Sequence, residues 1–402
     1  MIVAFTKDWD DVPTCTTHIL REMGKREPVL WVGSIGTRKP SVGSAKDVRR
    51  IWRRVWRGLL PPEHKENHLY VLHPLLIPKA RSGGAVALNR WLFRWYVWRF
   101  VRMARRRYRP LEGRNVPSSG APIEYWCFVP NAVDLLPRRD VSERRGDKVV
   151  YYVADDWTAF HNLDGAWMKA KEDGLVQRSD VIFATSGILV EKLRKVCGSV
   201  GRSGDRLVVY MPHGVDHALF EKALDRSIAL PPELREMSHP IIGFYGNLHP
   251  WVDFGLIEAL AKARAVWNFV LIGEDYGAPA SLKACANVYV LGRREHSMLV
   301  EYCRGFDVGM IPYDMGQARM ESVNPVKTKE LLSAGVPVVG SEVPALSGYG
   351  EDVLLCRSVE QWLAALEKQA AKDAAERAAI SARMRGETWA AKVARIREMI
   401  HR

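Results

Sequence analysis

Short runs of consecutive apolar residues recur along the chain, spaced by longer stretches with helical periodicity. Residues 2–5, 29–32, 123–129, 148–153, 180–185 and 206–211 read as buried strands. Residues 14–26, 158–170 and 186–196 read as helices between them. Strands that alternate with helices imply βαβ units and parallel sheets. The pattern pauses over 221–239, where Pro231, Pro232 and Pro240 suggest a linker. It then restarts, with strands expected at 241–245, 269–273, 288–291, 307–312, 337–340 and 353–355. Helices are expected at 252–266 and 296–304, with another opening at Pro325, and the tail from 360 to 402 reads as two helices.

At 402 residues the chain exceeds what one core normally supports. Its expected domains are 1–220, a linker at 221–239, 240–385, and a terminal helix at 386–402 packing back towards the first domain. Within residues 88–109 a second pattern is superimposed. Plotted at about 100° per residue, Leu92, Phe93, Tyr96, Val97, Phe100, Met103 and Ala104 share one side. Arg90, Arg94, Arg99, Arg102, Arg105, Arg106 and Arg109 fall on the other, with Trp91, Trp95 and Trp98 among them. A merely solvated face needs no tryptophans, whereas a face at the headgroup level of an anionic membrane uses both residue types. A shorter Arg/Trp segment spans 48–57, after a Gly/Ser/Lys-rich loop over 33–47.

Charge strengthens that reading. Residues 1–140 hold 26 Lys and Arg against 12 Asp and Glu, whereas the rest of the chain holds 33 against 34. All the excess positive charge therefore belongs to the first third. No nucleic-acid module pattern accompanies the basic segments, so nucleic acid is not the expected partner. The six cysteines are scattered, with neither a CxxC pair nor zinc-ligand spacing, which fits a reducing compartment. No signal peptide and no spanning helix are expected.

Candidate chemistry gathers at strand ends, where doubly wound sheets bind ligands. The strand at 148–153 runs into Ala154-Asp155-Asp156-Trp157, so either carboxylate could act as general base or cap the next helix. His161 is a nearby possible partner. The strand at 206–211 ends in Pro212-His213-Gly214-Val215-Asp216, and that at 241–245 in Gly246-Asn247-Leu248. Pro325-Val326-Lys327-Thr328-Lys329-Glu330 opens a helix after the loop ending at Asn324. Its free N–H groups and Lys327 suit a phosphate, and Glu330 lies one turn on.

With these residues in order, the chain resembles the GT-B glycosyltransferases, most closely the families 1 and 4 type carboxyl domain, over roughly 148–400. The resemblance implies two Rossmann-like doubly wound α/β domains facing a cleft, with carboxyl-terminal helices. It implies a nucleotide-sugar donor, a UDP-sugar being favoured, and no cofactor or bound metal. Lys327 and the helix start would hold the diphosphate, with Asn324 beside it, and Glu330 the ribose. Gly273, Glu274 and Arg293 would border the base, and Gly246 and Asn247 would let the backbone approach the phosphates. The retaining family 4 pattern places two glutamates eight apart, but Ser322 stands eight before Glu330. The Asp155 strand end, the His-Gly-Val-Asp turn and the Lys327 helix also look like the membrane-associated, inverting xanthan glucuronosyltransferase. That likeness makes Asp155 the catalytic base, with Asp156 its substitute. Asp8-Trp9-Asp10 spells the DxD metal motif of another sugar-transferase class and is read as incidental.

The expectation is a metal-independent, inverting glycosyltransferase that moves a sugar to a polyprenyl-diphosphate-linked glycan in surface polysaccharide synthesis. It would be peripheral on the cytoplasmic face of the plasma membrane, with Trp91, Arg94, Trp95, Trp98 and Arg102 on its acceptor and membrane face. The alternatives are a GT-B-fold nucleotide-sugar epimerase and a non-enzymatic basic binder of membrane or nucleic acid.

Overall fold

The computed structural model describes residues 1–11, 13–33, 58, 60–78, 80, 82–108, 122–159 and 164–401. The Arg/Trp segment at 48–57, His161 and all of the 33–47 loop after Gly33 lie outside the described residues. The described chain forms two compact units. The first holds Met1–Thr185, Leu189–Met211 and Arg397–Arg402, and the second Ser186–Ile188 and Pro212–Ile396.

In the first unit the strands are β1 (Ile2–Phe5), β2 (Val29–Val32), β3 (Glu63–His64), β4 (Leu69–Leu72), β5 (Glu124–Cys127), β6 (Lys148–Val153), β7 (Val181–Ala184) and β8 (Val208–Tyr210). They lie in the order β3-β4-β2-β1-β5-β6-β7-β8, parallel throughout except for the β3–β4 pair. Helices cover such a sheet on both faces, so its strands are continuously apolar, as Val29–Val32 and Leu69–Leu72 are. Strand order reverses at β1, flanked by β2 and β5, and a doubly wound sheet keeps its ligands at such a switch point.

The second unit contains β9 (Ile241–Tyr245), β10 (Asn268–Ile272), β11 (Val288–Gly292), β12 (Val308–Ile311), β13 (Val338–Ser341) and β14 (Val353–Cys356), ordered β11-β10-β9-β12-β13-β14 and parallel. Its switch point is β9, between β10 and β12. The helix Val326–Ser333 leads into β13, so its N-terminus lies at the carboxyl end of this sheet.

Several expectations need correction. Residues 158–170 are not one helix: a 3₁₀ turn at Trp157–Ala159 precedes the helix Gly165–Arg178, whose start is fixed by Asp164 accepting from the Trp167 amide at 3.0 Å. The tail holds three helices, Val359–Ala370, Ala374–Arg383 and Trp389–Ile400, because Asp373 and Glu376 form a capping box that restarts the chain. The span 221–239 carries a 3₁₀ turn at Glu221–Leu224 and a helical turn at Pro232–Arg235. The helix Gly83–Tyr108 is longer than the 88–109 pattern and begins five residues earlier.

Candidate active site

Two sets of residues with chemical potential stand at strand ends, one in each unit. In the second unit the set is built around Lys327. Pro325 precedes the helix Val326–Ser333 in extended conformation, and its carbonyl accepts from the Thr328 amide at 3.1 Å. Thr328, Leu331 and Leu332 are buried against the sheet, which fixes the helix and its unpaired first N–H groups at the switch point. Lys327 extends over the Phe244 ring, with Nζ 4.2 Å from its centroid and 5.6 Å from that of Tyr313. The backbone beneath must be glycine. Gly246 has φ +136°, and a Cβ there would lie 2.2 Å from Lys327 Nζ. Gly273 has φ +157°, and its Cβ would lie 2.0 Å from the Gly246 carbonyl oxygen. The two loops close on each other through Gly246 N–Ile272 O at 2.8 Å and Gly273 N–Gly292 O at 3.0 Å.

Burial pulls the Lys327 pKa down to about 8, against the opposing pull of Glu330. A cation held in partly desolvated surroundings gains from an anion more than a surface lysine does. Glu330 itself is buried and held on both oxygens. Oε1 lies 2.7 Å from His296 Nε2, and Oε2 accepts from the Tyr245 hydroxyl at 3.1 Å. The Glu330 hydrogen bond raises the His296 pKa despite burial. Each carboxylate oxygen retains a lone pair. Neither His296 nor Tyr245 was singled out by spacing: both reach Glu330 only through the tertiary fold.

The opposite side of the same helix is tied down. Lys329 donates to the His213 carbonyl at 2.7 Å and to Glu387, which Lys392 also holds at 2.7 Å. Gly214 presses against Trp389, to whose Cα a Cβ would come within 2.8 Å. The His-Gly-Val-Asp turn thus braces the helix, and Asp216 caps Leu219 at 3.1 Å. Of the remaining expected donor residues, Asn324 is buried just before the helix. Asn247, Glu274 and Arg293 are exposed on the loops after β9, β10 and β11. The second unit therefore gathers Gly246, Gly273, Lys327 and Glu330 at one sheet end, with Asn247, Glu274, Arg293 and Asn324 on the loops around them.

In the first unit two carboxylates follow β6. Asp156 Oδ1 accepts from the Thr158 amide at 2.9 Å, the Thr158 hydroxyl at 2.6 Å and Lys192 Nζ at 2.6 Å. Although burial pushes its pKa up, these bonds leave it below the ordinary value. Lys192 also reaches the buried Glu172 at 3.0 Å, which accepts from Tyr151 at 2.9 Å. Asp156 is thus engaged in a buried ionic chain. Asp155 is half-buried at the end of the same strand, near Cys15. Burial, and then the Asp155 charge, push the Cys15 thiol up to about 12.

The helix Gly83–Tyr108 buries Phe93, Tyr96, Val97, Phe100 and Ala104, with Leu92 and Met103 packed at the edge of that core. Its other face leaves Trp91, Trp95 and Trp98 exposed by 64%, 40% and 54%. Arg99 stacks over Trp95 at 4.6 Å and Arg102 over Trp98 at 5.4 Å, and Arg94 is exposed between them. Among the described residues no helix is long and apolar enough to cross a membrane.

Two doubly wound units, the second with a lysine and a helix start over paired glycines at its switch point, define the GT-B glycosyltransferase fold. Comparison with known proteins agrees. Residues 239–372 match the family described as glycosyl transferases group 1. A Bacillus subtilis (strain 168) protein, TuaH, assigned by name to teichuronic acid biosynthesis as a glycosyltransferase, is 29% identical over 216 residues. That match covers 50% of this chain and 52% of the relative, about half the length of each. Among solved structures, the E. coli trehalose-6-phosphate structure bound with UDP-2-fluoro glucose superposes with a TM-score of 0.62 at 13% identity, covering 100% of this chain and 99% of the other. Anabaena HepE in complex with UDP and glucose gives 0.60 at 15%, with 100% and 99% covered. The Thermosynechococcus elongatus sucrose-phosphate synthase gives 0.60 at 15%, with 100% and 98% covered. The likeness to the xanthan glucuronosyltransferase stays at the level of sequence motifs.

Proposed function

We propose that the protein is a glycosyltransferase that transfers a sugar from a UDP-sugar to a lipid-linked glycan during synthesis of a surface polysaccharide. The observation that carries this reading is Lys327, poised over Gly246 and Gly273 at the start of its helix. A nucleotide diphosphate placed there meets free helix N–H groups, a partly desolvated ammonium and backbone that can approach closely. The remaining lone pairs of Glu330 suit the ribose hydroxyls, with His296 and Tyr245 keeping the carboxylate in place.

Transfer with inversion needs a base that removes the acceptor hydroxyl's proton as the sugar–phosphate bond breaks. Asp155, half-buried directly after β6, is the candidate, and Asp156 is bonded to Lys192 and Thr158. The departing diphosphate would carry its charge onto Lys327. The acceptor would be a polyprenyl-diphosphate-linked glycan at the cytoplasmic face of the plasma membrane, engaged from the Trp91, Trp95 and Trp98 side of the basic helix. Each basic residue close to an anionic surface contributes about 1 kcal/mol. The uneven charge of the first 140 residues and the TuaH similarity support that setting.

The direct test is a thermal-shift screen of nucleotide diphosphate sugars, followed by transfer to a polyprenyl-diphosphate glycan and NMR of the new linkage. A melting-point rise with UDP-sugars that is lost in Lys327→Ala, together with an inverted anomeric configuration, is the expected result. No rise with any nucleotide sugar rejects the donor site, and a retained configuration rejects Asp155 as base.

A further inference from the structure

Three aromatic rings that the chemistry above does not use stand at the carboxyl end of the second sheet. The His249 ring lies 4.0 Å from Trp251 at an interplanar angle of 26°, and 4.2 Å from Tyr276 at 2°. Two rings can both come so close only from opposite faces of the imidazole, so Trp251, His249 and Tyr276 form one column. Arg319 covers the Trp251 ring at 5.0 Å. Burial, and then the Arg319 charge, hold the His249 pKa below its ordinary value, so the middle ring is uncharged at neutral pH. Tyr276 ends the column on the solvent side and is 54% exposed.

The loops that carry the column are fixed to one another. The Leu248 amide donates to the Glu274 carbonyl at 2.9 Å, and the Tyr276 amide to the Leu248 carbonyl at 3.1 Å. Asp275 accepts from the Gly277 and Ala278 amides at 3.0 and 2.8 Å and pairs with Lys283 at 2.6 Å. The Trp251 carbonyl accepts from the Asp314 amide at 2.9 Å. Tyr276 therefore presents one flat face at a set position.

Topology decides which side of the sheet that is. The helix Phe254–Ala263 connects β9 to β10, and the helix Val326–Ser333 connects β12 to β13. β10 and β13 lie on opposite sides of the β9–β12 pair. Parallel crossovers are right-handed, so the two helices cover opposite faces of the sheet. Glu330 belongs to one face, and the column, on the loops after β9 and β10, to the other. Gly246, Gly273 and Lys327 lie between them. Tyr276 is three residues past Gly273, a reach of at most ~11 Å.

We propose that Tyr276 is the platform on which the transferred sugar of the donor stacks, through the C–H face of its pyranose ring. This rests on the donor reading above, in which Glu330 takes the ribose. The sugar leaves the diphosphate at its other end, on the side of the column. An aromatic face is the negative pole of the ring's quadrupole and attracts the weakly positive C–H groups on one face of a pyranose.

The test uses the purified full-length protein and titration calorimetry with UDP, UDP-glucose and UDP-galactose. Tyr276→Ala should weaken the tighter-binding UDP-sugar about tenfold while UDP itself changes by no more than about twofold, which also shows that the variant folds. Tyr276→Trp keeps an aromatic face and should stay within about threefold of the wild type for the UDP-sugar. In NMR spectra the sugar-ring protons of the bound donor should move upfield with the wild type and not with Tyr276→Ala, as a ring lying over them requires. Equal weakening of UDP and UDP-sugar in Tyr276→Ala overturns the proposal, because the ring would then serve the nucleoside end. Unaltered UDP-sugar binding in Tyr276→Ala also overturns it. No UDP binding by the wild type rejects the donor reading itself, and this inference with it.

Discussion

Lys327 offers the sharpest quantitative test. Its ammonium titrates at about 8 in the free protein against an ordinary 10.5. At ~1.36 kcal/mol per pH unit, keeping it charged costs the folded state about 3 kcal/mol. A bound diphosphate supplies the missing counter-charge and returns the pKa towards its ordinary value. Binding then takes up a proton wherever the free lysine is partly neutral, and affinity falls as pH rises through 8. If the pKa is fully restored, the UDP dissociation constant weakens about tenfold between pH 7 and pH 9, and about half a proton is taken up per nucleotide at pH 8. Calorimetry in two buffers of different ionisation enthalpy measures that uptake directly. Lys327→Arg keeps its charge throughout this range and so reports any titration of the nucleotide itself. Wild-type binding that parallels Lys327→Arg from pH 7 to 9, with no proton uptake, would refute the reasoning.

The same depressed pKa makes a stability prediction. Because the folded value is below the unfolded one, the penalty is present below pH 8 and disappears as pH rises to 10.5. Lys327→Met should therefore raise the neutral-pH melting point of the free protein, with the gain shrinking in alkaline buffer. Asp155→Asn should lower transfer about 100- to 10,000-fold with UDP binding retained. Asp156→Asn should instead cost about 1–3 kcal/mol of stability in denaturant melts, since it weakens the Lys192–Glu172 chain. Equal kinetic loss in both variants would remove the distinction between them. Gly246→Ala, strained at φ +136° and set against Lys327, should abolish the UDP-induced melting shift in a protein that still folds. Replacing Trp91, Trp95 and Trp98 together with alanine should reduce anionic-liposome flotation about tenfold or more, and unchanged flotation would exclude that face.

The legible parts of the fold were those with a strong local signal. The apolar runs Val29–Val32, Lys148–Val153 and Ile241–Tyr245 are strands with the expected bounds, because strands buried on both faces leave no alternation to confuse. Leu69–Leu72 is equally buried but carries a weak local signal, since it is short and lies among prolines and charges with no helical pattern before it. The tail helices merged in the sequence because Asp373 reads as one more polar residue until its capping box is seen. The arginine and tryptophan face of the long helix followed from periodicity alone. At the candidate site, Lys327 and Glu330 stood out through position and type. His296, Tyr245 and Lys329 did not, because their partners are 34, 85 and 116 residues away in sequence. Nor does a tandem Asp-Asp reveal which member Lys192 will occupy.

The stacking of Arg99 on Trp95 and of Arg102 on Trp98 has a kinetic and entropic corollary. An exposed indole normally samples several rotamers and must give them up on docking, at about 0.5–1.5 kcal/mol for each side chain immobilised. On this helix the guanidinium groups already restrain two of the three rings, so much of that loss is incurred at folding. A docking surface meets a rigid aromatic edge whose orientation is set in advance. Replacing Arg99 and Arg102 by lysine would keep the charge while freeing the rings, separating attraction from preorganisation.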